Sequence, residues 1–166
     1  MSERPEDGAA RPALPDEIGL IAGLAREARS EALEYRGGER WVATEAAPEP
    51  LEDRLAQMIA DPESELVVGI WDGAVVGYGW ARRIARLDGS AIARIEELFV
   101  TPNGRSVGVG ESLFESLMQW ARGQELAAID AFVLPGHREA KNFFETFKMT
   151  AHALIMHTRL DKDQAP

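Results

Sequence analysis

Apolar side chains near the start of the chain fall into a helical rhythm. After Asp16, a residue suited to an N-cap, Ile21, Leu24, Ala25, Ala28, Ala32 and Tyr35 recur every three or four positions until the Gly37–Gly38 pair stops them. Arg36, Gly37 and Gly38 read either as the C-cap of this helix or as a mobile lip over a binding site. Leu51, Leu55, Met58 and Ile59 predict a second, shorter helix closed by Asp61–Pro62. The stretch between the two helices, with Trp41, prolines and acidic breaks, reads as loop.

The period then drops to two. Residues 66–71, 74–84 and 91–100, separated by Asp72–Gly73 and Asp88–Gly89, predict the three strands of an antiparallel meander. Helical spacing returns with Val109, Leu113, Leu117 and Ala121, opposite Glu111, Glu115, Gln119 and Arg122, and ends near Gly123. Residues 127–134 predict a buried strand, Ala140, Phe143, Phe144 and Phe147 the stripe of a fourth helix, and 151–160 a final strand. A helix between the third meander strand and the next strand implies a crossover to a parallel neighbour. The expected fold class is α/β, a mixed sheet combining an antiparallel meander with parallel crossover strands and carrying helices on both faces.

Length and composition narrow this further. A chain of 166 residues with 45% apolar and 28% charged side chains suits one globular domain. Polar, proline-containing residues 1–12 predict a flexible arm running into a short first strand near 11–14, ahead of a single domain over 13–162 and a tail over 163–166. A formal charge of −10 repels phosphate backbones and anionic lipid, so no nucleic-acid or membrane partner is expected and a cationic one is favoured. The absence of cysteine removes disulfides, thiolate metal sites and a cysteine nucleophile, and fits a reducing cytoplasm. The start of the sequence lacks the apolar run of a signal peptide, and no segment approaches the roughly 20 apolar residues of a membrane span.

The turn between residues 100 and 110 carries the candidate chemistry. Gly104, Gly108 and Gly110 fall where the third helix must begin, so the backbone there can approach a ligand closely and unpaired N–H groups can hold a pyrophosphate. A bare capping turn would also place glycines here. A nucleoside triphosphate loop would need Lys followed by Ser or Thr where Glu111–Ser112 stand, and a dinucleotide turn would need a small residue at Leu113. Arg105-x-x-Gly108-x-Gly110, preceded by Glu96-Glu97-Leu98-Phe99-Val100, resembles the acetyl-CoA pyrophosphate motif of the GCN5-related N-acetyltransferases. Ala140 with Phe143-Phe144-Glu145-x-x-Lys148-Met149 is similar to that family's signature on the helix beside the cofactor. Lys148 and Met149 replace its Gly-Phe, Phe144 its tyrosine, and His137 stands where many relatives have an asparagine.

That resemblance implies acetyl-CoA as co-substrate, held by Leu98, Phe99, Val100, Arg105, Ser106, Val107, Gly108, Val109, Gly110, Glu111, His137 and Asn142. It implies direct attack of a neutral amine on the thioester, with Glu96 or Glu97 as base or acceptor ligand and the N–H of Val100, or of its neighbour Phe99, at the oxyanion. Adjacent glutamates on a strand point to opposite faces, so one of the two is expected in the cleft. His137 either touches the pantetheine arm or caps the fourth helix, and Tyr35, Trp41, Tyr78 and Trp80 serve as acceptor-pocket walls or as core. No metal-ligating spacing occurs. The implied acceptor is a primary amine on a small molecule or peptide, and a homodimer is an accompanying expectation. The missing Phe144 hydroxyl leaves a second reading, an acyl-CoA-binding module without catalysis.

Overall fold

Alternation along the strands decides which helices cover which face of the sheet. In the computed structural model, which describes residues 8–160, strand β2 (Ser64–Trp71) turns Leu66 and Val68 to one side and Val67 to the other. With β1 (Ala9–Pro12), β3 (Ala74–Ala85), β4 (Ala91–Val100) and β5 (Ile129–Ala131) it forms a sheet of order β1-β2-β3-β4-β5, antiparallel except for the β4–β5 pair. Helices α1 (Ile18–Ala32) and α3 (Leu51–Ala60) cover the face that bears Leu66, Val68, Tyr78 and Phe99. Helices α4 (Val109–Gly123) and α5 (Arg138–Thr146) cover the face that bears Val67, Ala81 and Ile95. Leu113 and Leu117 of α4 are completely buried, each worth about 1.5–3 kcal/mol relative to exposure. A Cβ at Gly69 would stand 2.5 Å from the Val109 side chain, so the missing side chain lets α4 lie close on the sheet.

The meander and the crossover lie where the periodicities place them; other elements differ. The first strand occupies Ala9–Pro12, because four residues of the presumed arm pair with Val67–Ile70. Residues 1–7 and the tail lie outside the described residues. Asp16 falls in a short 3-10 turn, Pro15–Glu17, ahead of α1. Helix α1 stops at Ala32 because Gly38 folds back onto it: a Cβ there would come within 1.7 Å of the Ala32 carbonyl oxygen. Gly37, with φ of 90°, then opens an additional helix, α2 (Gly38–Thr44), in the stretch expected to be loop.

Strand β5 keeps three of the eight residues expected. Residues 151–160 form no strand, and Leu154 and Met156 are 82% and 90% exposed. A three-residue edge offers too few main-chain groups to template a strand of that length. Among the described residues no helix is long and apolar enough to cross a membrane.

Candidate active site

One irregularity in β4 generates the site. Trp80 lies opposite Glu97 and Ala81 opposite Ile95, so Glu96 is an extra residue with no partner on β3. Such a bulge bends its strand and resets the alternation of side chains. Below it β4 is tied to the β5 side: Ala93 donates to the Ala128 carbonyl (2.9 Å) and the Ile95 carbonyl accepts from Phe132 N–H (3.3 Å). Above it the two strands have no register in common. Thr101 N–H donates to the Val76 carbonyl at 2.8 Å, so by antiparallel alternation Phe99 and Glu97 also direct their main-chain groups at β3. Leu98 and Val100 direct theirs the other way, into a gap where no described strand stands opposite.

The gap opens into a cleft lined by Glu31 from α1, Tyr35 from the turn after it, Trp41 from α2, Tyr78 from β3, and His137 and Phe144 from the β5–α5 side. Both Glu96 and Glu97 line it too, which corrects the expectation that strand alternation would turn one of them away. Glu96 accepts from Arg82 Nε at 2.6 Å. Glu97 accepts the Tyr78 hydroxyl on one oxygen and, at 3.5 Å, the Ala47 amide on the other. Burial, and then the neighbouring Glu97 carboxylate, push the Tyr78 phenol well above its usual range, so it stays a protonated donor. With 1% exposure and its hydroxyl committed to Glu97, Tyr78 is not available as a proton donor to a leaving group.

His137 sits at the N-cap position of α5, with its ring stacked on Tyr35 at 4.3 Å between centroids and 10° between planes. Burial lowers the pKa of its imidazole against the opposing pull of Glu31 and Glu139, which keeps it neutral near pH 7. Phe144 is buried against Phe114 and Phe143 and presents only ring carbon to the cleft.

On the far side of the gap, the 3-10 turn Pro102–Gly104 leads through Arg105 and Ser106 to α4. Gly108 is the N-cap of α4 at φ of 85°, and a Cβ there would meet nothing within 4 Å, so its open side is free for a ligand. The amides of Val109, Gly110 and Glu111 begin the helix without intrahelical acceptors. Gly110 has a packing role besides: a Cβ would stand 3.3 Å from Phe143. Ser106 and Val107 are exposed on this turn, whereas Asn142 is exposed on α5 and does not line the cleft. Of the two amides considered for the oxyanion, Val100 faces the gap and Phe99 is turned to β3.

Sequence reading missed Glu31 as a site group, while Leu98 was already expected among the cofactor contacts. Glu31 is hidden in the polar face of an amphipathic helix, and the outward turn of Leu98's backbone depends on the bulge. Among the described residues no group of three or more His, Asp or Glu is placed to hold a metal ion.

Residues 24–149 match the family model described as the acetyltransferase (GNAT) family. No curated protein gives a significant sequence match. Among solved structures, a point mutant of the BH1408 protein from Bacillus halodurans superposes with a TM-score of 0.76 at 17% identity, over 91% of this chain and 98% of that one. AAC(6')-Iy, crystallised with a bisubstrate analogue of CoA and acetylneamine, superposes with a TM-score of 0.69 at 14% identity, over 92% and 97%. An aminoglycoside acetyltransferase from an uncultured soil metagenomic sample, in complex with sisomicin, superposes with a TM-score of 0.66 at 16% identity, over 92% and 94%.

Proposed function

The chain belongs to the acetyltransferase (GNAT) family, and from that premise we propose that it moves an acetyl group from acetyl-CoA to a primary amine of a small molecule or peptide. The observation that carries this reading is the gap at the bulge, where the main chain of Leu98 and the N–H of Val100 face no neighbouring strand, beside two carboxylates. A pantetheine arm is an extended, amide-bearing chain and matches such an edge as a strand would. The open side of Gly108 and the amides at the start of α4 suit the pyrophosphate.

In the reaction, the amine nitrogen bonds to the thioester carbonyl carbon while the carbonyl oxygen takes negative charge. The Val100 N–H donates to that oxygen. The nitrogen's proton passes to Glu96, directly or through water, and the carbon–sulfur bond breaks to release coenzyme A as thiolate. A thiol pKa of roughly 8.5 makes that departure feasible without a protein acid. Glu97, held by Tyr78 and the Ala47 amide, fixes the negative field of the pocket and favours a cationic acceptor. Aminoglycosides, the acceptors named for two structural neighbours, are amines of that kind. A cytoplasmic setting and a homodimer belong to the same proposal, the latter tested by light scattering.

One observation favours the alternative of a non-catalytic acyl-CoA-binding module: Phe144 offers no hydroxyl, and Tyr78 is too buried to replace it. Thiol release from acetyl-CoA across a broad amine panel separates the two readings. The enzyme reading expects saturable turnover by the wild-type protein, held or raised in Phe144→Tyr. Binding of acetyl-CoA with no turnover by either protein establishes the module instead.

A further inference from the structure

Arg105, at the head of the glycine turn, is held on α1. Its Nη2 donates to Glu31 Oε2 at 2.6 Å, its Nε to the Val100 carbonyl at 2.9 Å, and its guanidinium lies 5.7 Å from the centre of the Phe99 ring. The pair joins residues 74 apart in sequence and remains partly open to solvent, with side-chain exposures of 34% for Arg105 and 21% for Glu31. Its position spans the two halves of the site, since Arg105 begins the turn that faces the pyrophosphate and Glu31 lines the cleft.

A guanidinium satisfied by one carboxylate has donors to spare, and a pyrophosphate with its greater charge and bidentate oxygens competes strongly for it. Removal of Arg105 from Glu31 leaves that carboxylate in a cleft with no compensating cation. His137 is neutral beside it, Arg82 is committed to Glu96, and Glu97 already has the Tyr78 hydroxyl and the Ala47 amide. A partly buried, unpaired carboxylate in a negatively charged cleft is unfavourable until it finds a positive partner. An ammonium group on the acceptor, separate from the one that reacts, supplies that partner, and Tyr35 and Trp41 provide aromatic faces beside it.

Resting on the acetyltransferase reading, we propose that Glu31 and Arg105 are an exchangeable ion pair: cofactor phosphate takes Arg105, and the freed Glu31 anchors a second cationic centre of a diammonium or polyammonium acceptor. Glu31 is then a specificity residue, and acceptor affinity is coupled to cofactor loading. By reciprocity the acceptor strengthens cofactor binding by the same factor.

Calorimetric titration of the full-length protein tests this with coenzyme A, 1,4-diaminobutane and butylamine as probes. Glu31→Gln removes the internal competitor for Arg105, so it is expected to bind coenzyme A about three- to tenfold more tightly than wild type. Wild type loaded with coenzyme A is expected to bind the diamine about tenfold more tightly than the free protein and to prefer it to the monoamine, a gain that Glu31→Gln abolishes and Glu31→Asp partly retains. Unchanged or weaker coenzyme A affinity in Glu31→Gln overturns the inference. So does diamine binding that fails to respond to coenzyme A, including no binding at all. A wild-type protein that does not bind coenzyme A contradicts the acetyltransferase reading itself, which is a different outcome from a wild type that binds while Glu31→Gln leaves the affinity unchanged.

Discussion

Glu96 and Glu97 differ by one position and by their partners, and the partners separate their roles. Glu97 is fixed by the buried Tyr78 hydroxyl, whereas Glu96 leans on Arg82, a half-exposed side chain that can yield to a substrate. Glu96→Gln is therefore expected to lower turnover by about 10²–10⁴ while leaving acetyl-CoA affinity unchanged, as initial rates and calorimetry on the same variant report. His137 adds a pH dependence whose sign follows from its lowered pKa. Above about 6.5 the ring is neutral in both the folded and unfolded chain; below it the unfolded ring takes a proton that the buried one resists, so stability is lost as pH falls. Urea unfolding between pH 5 and 8 is expected to show that slope in wild type and a flatter one in His137→Phe. The glycine turn and the carboxylate pair were legible because they are short strings. Glu31 was not, since nothing in the local sequence pattern distinguishes it from Glu27 or Glu34, and only the fold brings it to Arg105.

At the scale of elements, the strongly periodic segments were the readable ones. The meander and α4 carry uninterrupted patterns, and their observed bounds lie within two residues of those expected at each end. Helix α2 escaped because its seven residues span barely two turns and it opens on a glycine, where local propensity opposes the helix that packing of Trp41 secures. The apolar run at 127–134 overstated β5 because pairing, not hydrophobicity, sets strand length, and the bulge withdraws β4 after Ile95. Lys148 shows a local conflict that remains in the fold: it closes the turn after α5 at φ of 62°, the left-handed region that favours glycine. Lys148→Gly is expected to stabilise the protein by about 1 kcal/mol, raising the melting temperature by roughly 2–4 °C. A lower melting temperature would mean that the lysine makes a compensating contact.

Across the whole molecule, a net charge of −10 and a cleft with three carboxylates act in the same direction. Long-range attraction brings a cationic acceptor to the surface, and the local groups select its geometry. The sheet gap, the α4 N-terminus and the bulge converge on one site although they come from separate stretches of sequence, and direct transfer between two bound substrates requires such convergence. The central claim is that the acetyl group passes from thioester to amine without residing on the protein. It is tested most directly by supplying isotopically labelled acetyl-CoA with a panel of diamines and polyamines and following the label by mass spectrometry. The account predicts label in an N-acetylated amine, one equivalent of free coenzyme A for each product formed, and an unlabelled protein throughout. Label retained covalently on the protein, or coenzyme A released without any acetylated amine, would contradict it.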